Sequence, residues 1–251
     1  MKLSELLAGT VTQMNSYADI DIKGLTADSR QVKPGYLFAA LPGTNLDGRK
    51  FMDNAIERGA VAILSLDGTS ISDQTIALIT DANPRRRFAH FAAHYYARQP
   101  KTAVAVTGTN GKTSVAYFLH QIWHSAGYAS AAMGTLGIIS QTFTMPGNLT
   151  TPDPVSLHHG LASLHDHGID HLAMEASSHG LDQCRLDGVK LSAAGFTNLS
   201  RDHLDYHGSM KAYLAAKLRL FTDVLAPGGI AVVNADLTES KDLIAACEAR
   251  G

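Results

Sequence analysis

The chain has 251 residues, of which 45% are hydrophobic and 18% are charged, a composition typical of soluble globular proteins. Its formal net charge of -2 excludes a broad basic surface for nucleic acid. The length exceeds one typical domain and predicts two. Two cysteines, Cys184 and Cys247, indicate no disulfide framework, and the sequence contains no apolar run long enough to span a bilayer. We therefore expect a cytoplasmic monomer without a membrane or nucleic-acid partner.

The first predicted domain covers residues 1–82 and mixes strand-like stretches with one helical stretch. This alternation predicts a small N-terminal α/β domain. Pro84 follows a turn and suits the first position of a helix, so residues 83–100 are predicted to be a linker helix. The strand-like stretches are residues 37–40, 60–64 and 76–79, and the helical stretch is residues 48–58.

The second predicted domain covers residues 101–251. Residues 102–106 are apolar throughout, as in a buried parallel strand, and a helix is expected over residues 113–126. Strand-like runs alternate with helical patterns after it, which predicts a mostly parallel sheet flanked by helices. These further runs are residues 129–133, 169–174, 193–197 and 230–233.

The strongest motif joins the first strand of that domain to its helix. Glycines let the backbone curl so that its N–H groups point at phosphate oxygens, and the helix N-terminus adds its dipole. Lys112 can reach the β- and γ-phosphates of a nucleotide, and the Thr113 hydroxyl can ligate Mg²⁺. The usual spacing has glycine where Val106 stands, so this is a variant phosphate loop, and a ligand-free turn is the less favoured alternative. The motif reads Gly108-Thr109-Asn110-Gly111-Lys112-Thr113.

Polar clusters follow two later strands. Glu175 stands at the end of one strand, and His203 lies in the polar segment that follows another. Ligands of such sheets bind beyond the carboxyl ends of the strands, and carboxylate oxygen and imidazole nitrogen both ligate metals. The two clusters therefore favour a metal site beside the phosphate loop over ordinary loop residues.

Lys217 lies within the apolar face of the helix predicted over residues 210–225 when the residues are placed at helical spacing. A lysine on a buried face either extends its amine to water or has a function. Burial lowers the pKa of a lysine, and a neutral amine reacts with CO₂ to give a carbamate, an oxygen ligand suited to Mg²⁺. Periodicity alone leaves both readings open.

Three segments resemble the Mur ligases, and the resemblance covers the whole chain. In particular they resemble the branch that adds a third peptide residue to UDP-MurNAc-L-Ala-D-Glu. Asp28-Ser29-Arg30, Pro34-Gly35 and Asp47-Gly48 are similar to the N-terminal domain of that branch. The three segments are residues 108–114, 175–181 and 197–208.

The resemblance implies an ATP-dependent amide ligase that uses two Mg²⁺ ions. Lys112, Glu175, His203 and Lys217 match catalytic positions, and Lys217 would be carbamylated. Thr113 would ligate the first metal, while Glu175, His203 and Lys217 would serve the second. The ATP-binding positions are Gly108, Thr109, Asn110, Gly111, Lys112, Thr113 and Ser114.

The resemblance also implies a site for the nucleotide-sugar dipeptide. Leu149 stands where the family often has asparagine. The positions that match contacts to the muramoyl-dipeptide are Leu149, Thr150, Thr151, Ser177, Gln183 and Arg185. The positions that match the uridine-diphosphate site are Ala27, Ser29, Thr44, Asn45 and Leu46.

In the implied reaction, ATP first phosphorylates a carboxylate of the dipeptide. The amine of a diamino acid then displaces the phosphate. Among diamino acids, meso-diaminopimelate is favoured over lysine. The family has a C-terminal Rossmann-like domain that binds the diamino acid, and residues 1–251 contain no counterpart of it. We therefore expect a fragment that binds the nucleotide sugar without completing ligation. Alternatives are a folylpolyglutamate or D-Ala-D-Ala-adding ligase and, in another class, a P-loop kinase or regulatory nucleotide-binding module.

Overall fold

A computed structural model describes residues 1–8, 19–43 and 46–249. The chain forms two compact units, Met1–Tyr95 and Tyr96–Gly251. Thr44 and Asn45, two of the residues predicted to bind uridine diphosphate, lie outside the described residues. Within the described residues, no helix combines the length and apolarity needed to cross a membrane.

The first unit is built on a four-stranded parallel sheet in the order β1-β2-β3-β4. Its apolar side chains, including Phe38 and Ile63, pack with Ala55 of a helix into one core. The strands are β1 (Gly24–Thr26), β2 (Tyr36–Ala39), β3 (Ala60–Leu66) and β4 (Ala77–Asp81). The helices are α1 (Leu3–Leu6), α2 (Met52–Glu57) and α3 (Pro84–Tyr96).

The helix predicted over residues 48–58 is shorter and irregular at its start. The segment Gly48–Phe51 is a 3₁₀ turn, and α2 follows it. The turn forms because the Asp47 carboxylate accepts a hydrogen bond from the backbone N–H of Arg49, which fixes the chain in a local cap. Strand β1, which the sequence pattern did not predict, pairs with β2 at the edge of the sheet.

The second unit contains a seven-stranded sheet in the order β11-β10-β5-β9-β6-β7-β8. The predicted parallel sheet is confirmed for five strands, and β7 and β8 add an antiparallel hairpin at one edge. The strands are β5 (Thr102–Thr107), β6 (Ser130–Gly134), β7 (Gly137–Ser140), β8 (Thr144–Met145), β9 (His171–Glu175), β10 (Ala193–Phe196) and β11 (Ile230–Val233).

Helices connect these strands and cover the sheet. α4 packs on β6 and β9, and α5 places Leu157, Leu161 and Leu164 into the main core with Met174, which is the spacing of one helix face. The helices are α4 (Lys112–Ser125), α5 (Pro154–Asp166), α6 (Ser178–Asp182), α7 (Leu204–His207), α8 (Met210–Arg219) and α9 (Ser240–Glu248).

The single helix predicted over residues 210–225 is divided. α8 ends at Arg219, and Leu220–Val224 forms a π-helical turn. Such turns occur mostly as single-turn bulges and are frequent near functional sites. The turn keeps Leu220 and Phe221 in the main core, so the apolar face continues although the helical hydrogen-bond pattern changes.

The Asp153 carboxylate caps α5. Its Oδ1 accepts hydrogen bonds from the backbone N–H groups of Val155 and Ser156, at 3.0 and 3.1 Å. We expect Asp153→Ala to lower the free energy of unfolding by about 1 kcal/mol, whereas Asp153→Asn should retain most of the cap. Denaturant unfolding followed by the fluorescence of Trp123, the only tryptophan of the chain, measures this. Equal midpoints for the Ala variant and the wild type would contradict the assignment.

Candidate functional site

The carboxyl ends of β5, β9 and β10 meet at one edge of the larger sheet. Val106 on β5 is in register with Glu175 on β9, and Thr107 is in register with Phe196 on β10. The phosphate loop leaves β5 between these two neighbours. The strand-end clusters therefore flank the loop, as expected for a ligand site in an open α/β sheet.

The phosphate loop curls through two glycines and is fixed by the segment after β10. Gly108 and Gly111 have φ angles of 145° and 86°, a region that side chains disfavour. The Asn198 side-chain oxygen accepts a hydrogen bond from the backbone N–H of Asn110 at 3.0 Å. The Thr197 hydroxyl donates one to the carbonyl of Asn110 at 2.7 Å. These contacts fix the loop against the segment that follows β10.

Two lysine amines converge on the loop. Lys112 Nζ donates to the carbonyl oxygens of Gly108 and Thr109, each at 2.9 Å. Lys217 Nζ donates to the same Gly108 carbonyl at 2.8 Å. Lys217 is only 1% exposed, so its amine is bonded inside the protein and does not extend to water.

Burial is the main cause of the unusual electrostatics of both amines. It lowers the pKa of Lys217 to about 7, with repulsion from Lys112 as a second cause and attraction from Asp202 opposing both. Burial also lowers the pKa of Lys112, against the attraction of Glu175 and Asp202. With a pKa of about 7, a substantial fraction of the Lys217 amine is neutral near pH 7. The neutral amine is the form that reacts as a nucleophile.

Oxygen atoms of Thr113 and Glu175 form a pair that fits a hard cation. The Thr113 hydroxyl donates to Glu175 Oε2 at 2.9 Å, and Glu175 is 3% exposed. Hydroxyl and carboxylate oxygens are both ligand types that suit Mg²⁺. Across the part of the chain that is described, no group of three or more His, Cys, Asp or Glu side chains is placed to hold a metal ion.

His203 lies on a strained backbone. Its φ of 51° is left-handed, which is uncommon outside glycine and frequent at functional sites. Its ring meets the ring of His179 edge-on at 4.8 Å and that of Tyr213 at 6.1 Å. Burial, followed by the charges of His203 and His207, lowers the pKa of His179, which favours a neutral ring beside His203.

Thr135, which the sequence analysis did not select, connects Glu175 to Thr150. Its backbone N–H donates to Glu175 Oε1 at 2.9 Å, and its hydroxyl lies 3.0 Å from the hydroxyl of Thr150. Gly134 precedes it, and a Cβ atom added there would lie within 3 Å of the Glu175 carboxylate. The Glu175 carboxylate therefore occupies the space that a Cβ atom at position 134 would fill.

Apart from Leu149, the residues predicted to contact the dipeptide form one connected cluster. The Thr151 hydroxyl donates to the carbonyl of Glu175 at 3.1 Å and accepts from the backbone N–H of Ser177 at 2.9 Å. Arg185 donates to the carbonyl of Thr151 at 2.7 Å and to the side-chain oxygen of Gln183. This cluster is joined to the backbone of Glu175 through the Thr151 hydroxyl.

The remaining residues predicted to bind the substrate lie outside this cluster. Leu149 is half exposed and lines a cavity of about 280 Å³ beside Pro152. In the other unit, Ala27 and Ser29 follow β1, and Leu46 follows β2 and is exposed. Because β1 and β2 are parallel neighbours, these segments leave the same edge of the smaller sheet.

Thr135 and Tyr213 are residues of the site that the sequence analysis did not select. Tyr213 fits the apolar face of α8 and gives no polar signal in the sequence, and Thr135 lies in a turn between two strands that were not both predicted. A threonine directly after the glycine that ends β6 was the only available signal.

The fold and the loop define a phosphate-loop α/β protein, and comparison with known proteins identifies the family. The sequence profile of the Mur ligase middle domain matches residues 106–251, and that of the Mur ligase family catalytic domain matches residues 21–97. The chain belongs to the Mur ligase family. The resemblance inferred from the loop and strand-end motifs is thus confirmed.

Several relatives are about 50% identical to this chain over the residues that align. The UDP-N-acetylmuramoyl-L-alanyl-D-glutamate–2,6-diaminopimelate ligase of Bradyrhizobium diazoefficiens is 50% identical over 254 residues, which cover 100% of this chain and 51% of the relative. The ligase of the same name from Caulobacter vibrioides is 52% identical over 237 residues, covering 92% and 48%. The chain therefore spans about half the length of the curated relatives it matches.

Solved structures agree with the predicted α/β fold. A structure of a UDP-N-acetylmuramoyl-L-alanyl-D-glutamate–2,6-diaminopimelate ligase superposes with a TM-score of 0.85 at 31% identity, covering 100% of this chain and 50% of that one. A D-alanyl-D-alanyl ligase from Acinetobacter baumannii gives a TM-score of 0.56 at 21% identity, covering 91% and 47%, which is a likeness of fold alone.

The contact of Gly134 with Glu175 can be tested by adding one methyl group. Gly134→Ala should push the carboxylate away from Thr113 and Thr135 and weaken Mg²⁺-dependent nucleotide binding about tenfold, the equivalent of one charge-assisted hydrogen bond. Gly195→Ala is the matched control, because its added Cβ would meet only Val106 at 3.7 Å or more. Titration with a fluorescent ATP analogue, with and without Mg²⁺, measures both variants. Unchanged Mg²⁺ dependence in Gly134→Ala would show that the carboxylate does not serve the metal.

Proposed function

We propose that this chain is the ATP- and nucleotide-sugar-binding half of a ligase that adds a diamino acid to UDP-MurNAc-L-Ala-D-Glu. The observation that carries the proposal is the meeting of Lys112 and the buried Lys217 on the Gly108 carbonyl, beside the Thr113–Glu175 pair. A phosphate loop alone serves many enzymes, whereas a second, buried lysine with a pKa near 7 serves a more specific chemistry.

In this proposal the loop from Gly108 to Ser114 binds the phosphates of ATP. Its backbone N–H groups and the N-terminus of α4 face the anionic groups. Lys112 exchanges its bonds with the loop carbonyls for bonds with phosphate oxygens. The exchange replaces two neutral acceptors by charged ones, which form the stronger hydrogen bonds.

Thr113 is proposed to hold one Mg²⁺ ion. Glu175, His203 and a carbamate on Lys217 are proposed to hold a second. The ions would offset the negative charge of ATP and of the substrate carboxylate. The carbamate would give the site an additional anionic oxygen ligand without another carboxylate in the sequence.

The cluster of Thr150, Thr151, Ser177, Gln183 and Arg185 is proposed to bind the muramoyl-dipeptide. Hydroxyl, amide and guanidinium groups suit a ligand that carries amides and carboxylates. Leu149 would offer only apolar contact where the family often has asparagine. The uridine diphosphate would bind at the segments of Ala27, Ser29 and Leu46, with Thr44 and Asn45.

The proposed reaction has two steps. A carboxylate oxygen of the D-Glu residue attacks the γ-phosphorus of ATP, and ADP leaves, giving an acyl phosphate. The amine of the diamino acid then attacks the acyl carbon, loses a proton, and displaces inorganic phosphate to form the amide. Lys112 would stabilise the charge on the transferred phosphoryl group.

The high identity to diaminopimelate-named relatives favours meso-diaminopimelate as the added residue. The D-Ala-D-Ala-adding and folylpolyglutamate alternatives have no comparable support. Because ATP and nucleotide sugars are cytoplasmic metabolites, the reaction is proposed to take place in the cytoplasm. The active species is proposed to be a monomer.

Calorimetric titration of the chain tests the substrate assignment. We expect UDP-MurNAc-L-Ala-D-Glu to bind at least about tenfold more tightly than UDP-MurNAc, since the dipeptide adds charge-assisted hydrogen bonds with Arg185. Arg185→Ala should remove that preference. Arg98→Ala, which breaks only an exposed ion pair with Asp166, is the matched control and should retain it.

The outcomes separate the alternatives. Binding of ATP without measurable affinity for either nucleotide sugar would favour a kinase or a regulatory nucleotide-binding module. Equal affinity for both nucleotide sugars would retain a UDP-sugar site but reject the dipeptide assignment.

The amine of Lys217 should react with CO₂ near neutral pH. With ¹³C-labelled bicarbonate, we expect a carbamate resonance that rises as the pH passes about 7, because the amine is neutral above its pKa. Lys217→Met should abolish the resonance, and Lys211→Met, an exposed lysine on the same helix, should leave it unchanged. A resonance that persists in Lys217→Met would contradict the assignment.

The lowered pKa of Lys217 also predicts that the free energy of unfolding depends on pH. Between pH 7 and the ordinary lysine pKa of about 10.4, the unfolded chain binds more protons at this site than the folded chain. The free energy of unfolding contributed by Lys217 therefore rises with pH across this window, and is lowest below pH 7. In Lys217→Met this contribution should be absent, which denaturant unfolding at a series of pH values will measure.

A further inference from the structure

Tyr213 lies at the meeting point of the phosphate loop and the proposed metal ligands. It is 1% exposed and belongs to the buried face of α8. The helical pattern alone explains it as a core residue. Its contacts, however, are mostly with the functional groups of the site.

The hydroxyl of Tyr213 contacts the phosphate loop. It lies 3.3 Å from the Thr109 hydroxyl. Either hydroxyl can be the donor in this contact. The Thr109 hydroxyl also donates a hydrogen bond to the carbonyl of Ser200 at 3.2 Å and accepts one from the backbone N–H of Ser200 at 2.9 Å. Burial is the main cause of the raised pKa of Tyr213, and the hydrogen bond with Thr109 opposes it.

The ring of Tyr213 contacts the other side of the site. Lys217 Nζ lies over it, 4.4 Å from the ring centroid, in the geometry of a cation–π contact. The rings of His203 and His207 lie 6.1 and 5.1 Å away. His207 in turn is 3.0 Å from the Ser178 hydroxyl, next to the segment of Glu175.

We propose that Tyr213 is a positioning residue that couples the phosphate loop to Lys217 and His203. Its hydroxyl holds the loop through Thr109, and its ring fixes where the Lys217 amine and the His203 imidazole lie. A movement of Thr109 when phosphate binds is thereby passed to the groups proposed to ligate the second metal. The inference rests on the proposed function, because it assumes the roles of Lys217 and His203.

An ordinary core aromatic would need no hydroxyl. Phenylalanine would fill the same space and avoid the cost of burying a polar group. In Tyr213 the buried hydroxyl has its hydrogen bond with the phosphate loop and not with its own helix, so its position depends on the loop. The two halves of the side chain can therefore be tested separately.

Tyr213→Phe removes the hydroxyl and keeps the ring, whereas Tyr213→Leu removes both. We expect Tyr213→Phe to weaken Mg²⁺–ATP binding about fivefold, the equivalent of one hydrogen bond of about 1 kcal/mol, and to leave the carbamate resonance of Lys217 unchanged. Tyr213→Leu should also lose more than half of that resonance. Tyr128→Phe, which removes the hydroxyl of a half-exposed tyrosine on the second unit, is the control and should match the wild type in both measurements.

A double-mutant cycle with Thr109→Val distinguishes coupling from general destabilisation. If the two hydroxyls act through each other, Tyr213→Phe should have no further effect on nucleotide affinity in the Thr109→Val background. Thermal unfolding of each variant establishes that it is folded. Tyr213→Phe preserves the packing, so it provides a test even if Tyr213→Leu does not fold.

Three results would overturn the proposal: wild-type affinity in Tyr213→Phe, fully additive effects in the cycle, or a wild-type carbamate resonance in folded Tyr213→Leu. Failure of the proposed function gives a different result, because the wild-type chain itself would then not bind Mg²⁺–ATP. If the wild type binds ATP but forms no carbamate, the assignment of Lys217 falls with the proposed function, and the cycle alone decides the role of Tyr213.

Discussion

The carbonyl oxygen of Gly108 accepts hydrogen bonds from both Lys112 and Lys217, and the rest of the site depends on this shared acceptor. Two amines brought together inside a protein repel each other, and burial disfavours the charge of each. Glu175 and Asp202 offset part of that cost. The loop is thus held in a state that an anionic ligand can stabilise further, because phosphate oxygens are stronger acceptors than a peptide carbonyl.

Backbone conformation makes this arrangement possible. Gly108 can turn its carbonyl toward the two amines because it adopts a positive φ, and a Cβ atom there would collide with the Thr197 side chain. Gly134 allows the Glu175 carboxylate to approach the chain. The φ of His203 is strained, and its ring contacts His179 and Tyr213. Two backbone conformations, one of them costly, and one missing Cβ atom therefore serve the site.

The parallel sheet of the larger unit supplies the positional accuracy. β5, β9 and β10 are neighbours in register, so their carboxyl ends bring three segments distant in sequence to one edge. α8 then returns Tyr213 and Lys217 beneath the loop, and its π-helical end keeps Leu220 in the core. A site on rigid elements of this kind holds its groups more precisely than a site on loops alone.

The sequence by itself determined the α/β class, the phosphate loop, the strand-end placement of Glu175 and the position of Lys217 on the apolar face of its helix, because each depends on local periodicity or on a motif within one strand–loop–helix unit. Whether the Lys217 amine reaches water was decided only by the tertiary structure, in which it is bonded to Gly108. The sequence did not reveal the antiparallel β7–β8 hairpin, the π-helical turn after α8, or the parts of Thr135 and Tyr213. Those depend on which segments meet across the sheet. Tyr213 has the pattern of a core residue, and only the tertiary fold, which brings Thr109 from over a hundred residues away, decides that its hydroxyl faces the phosphate loop.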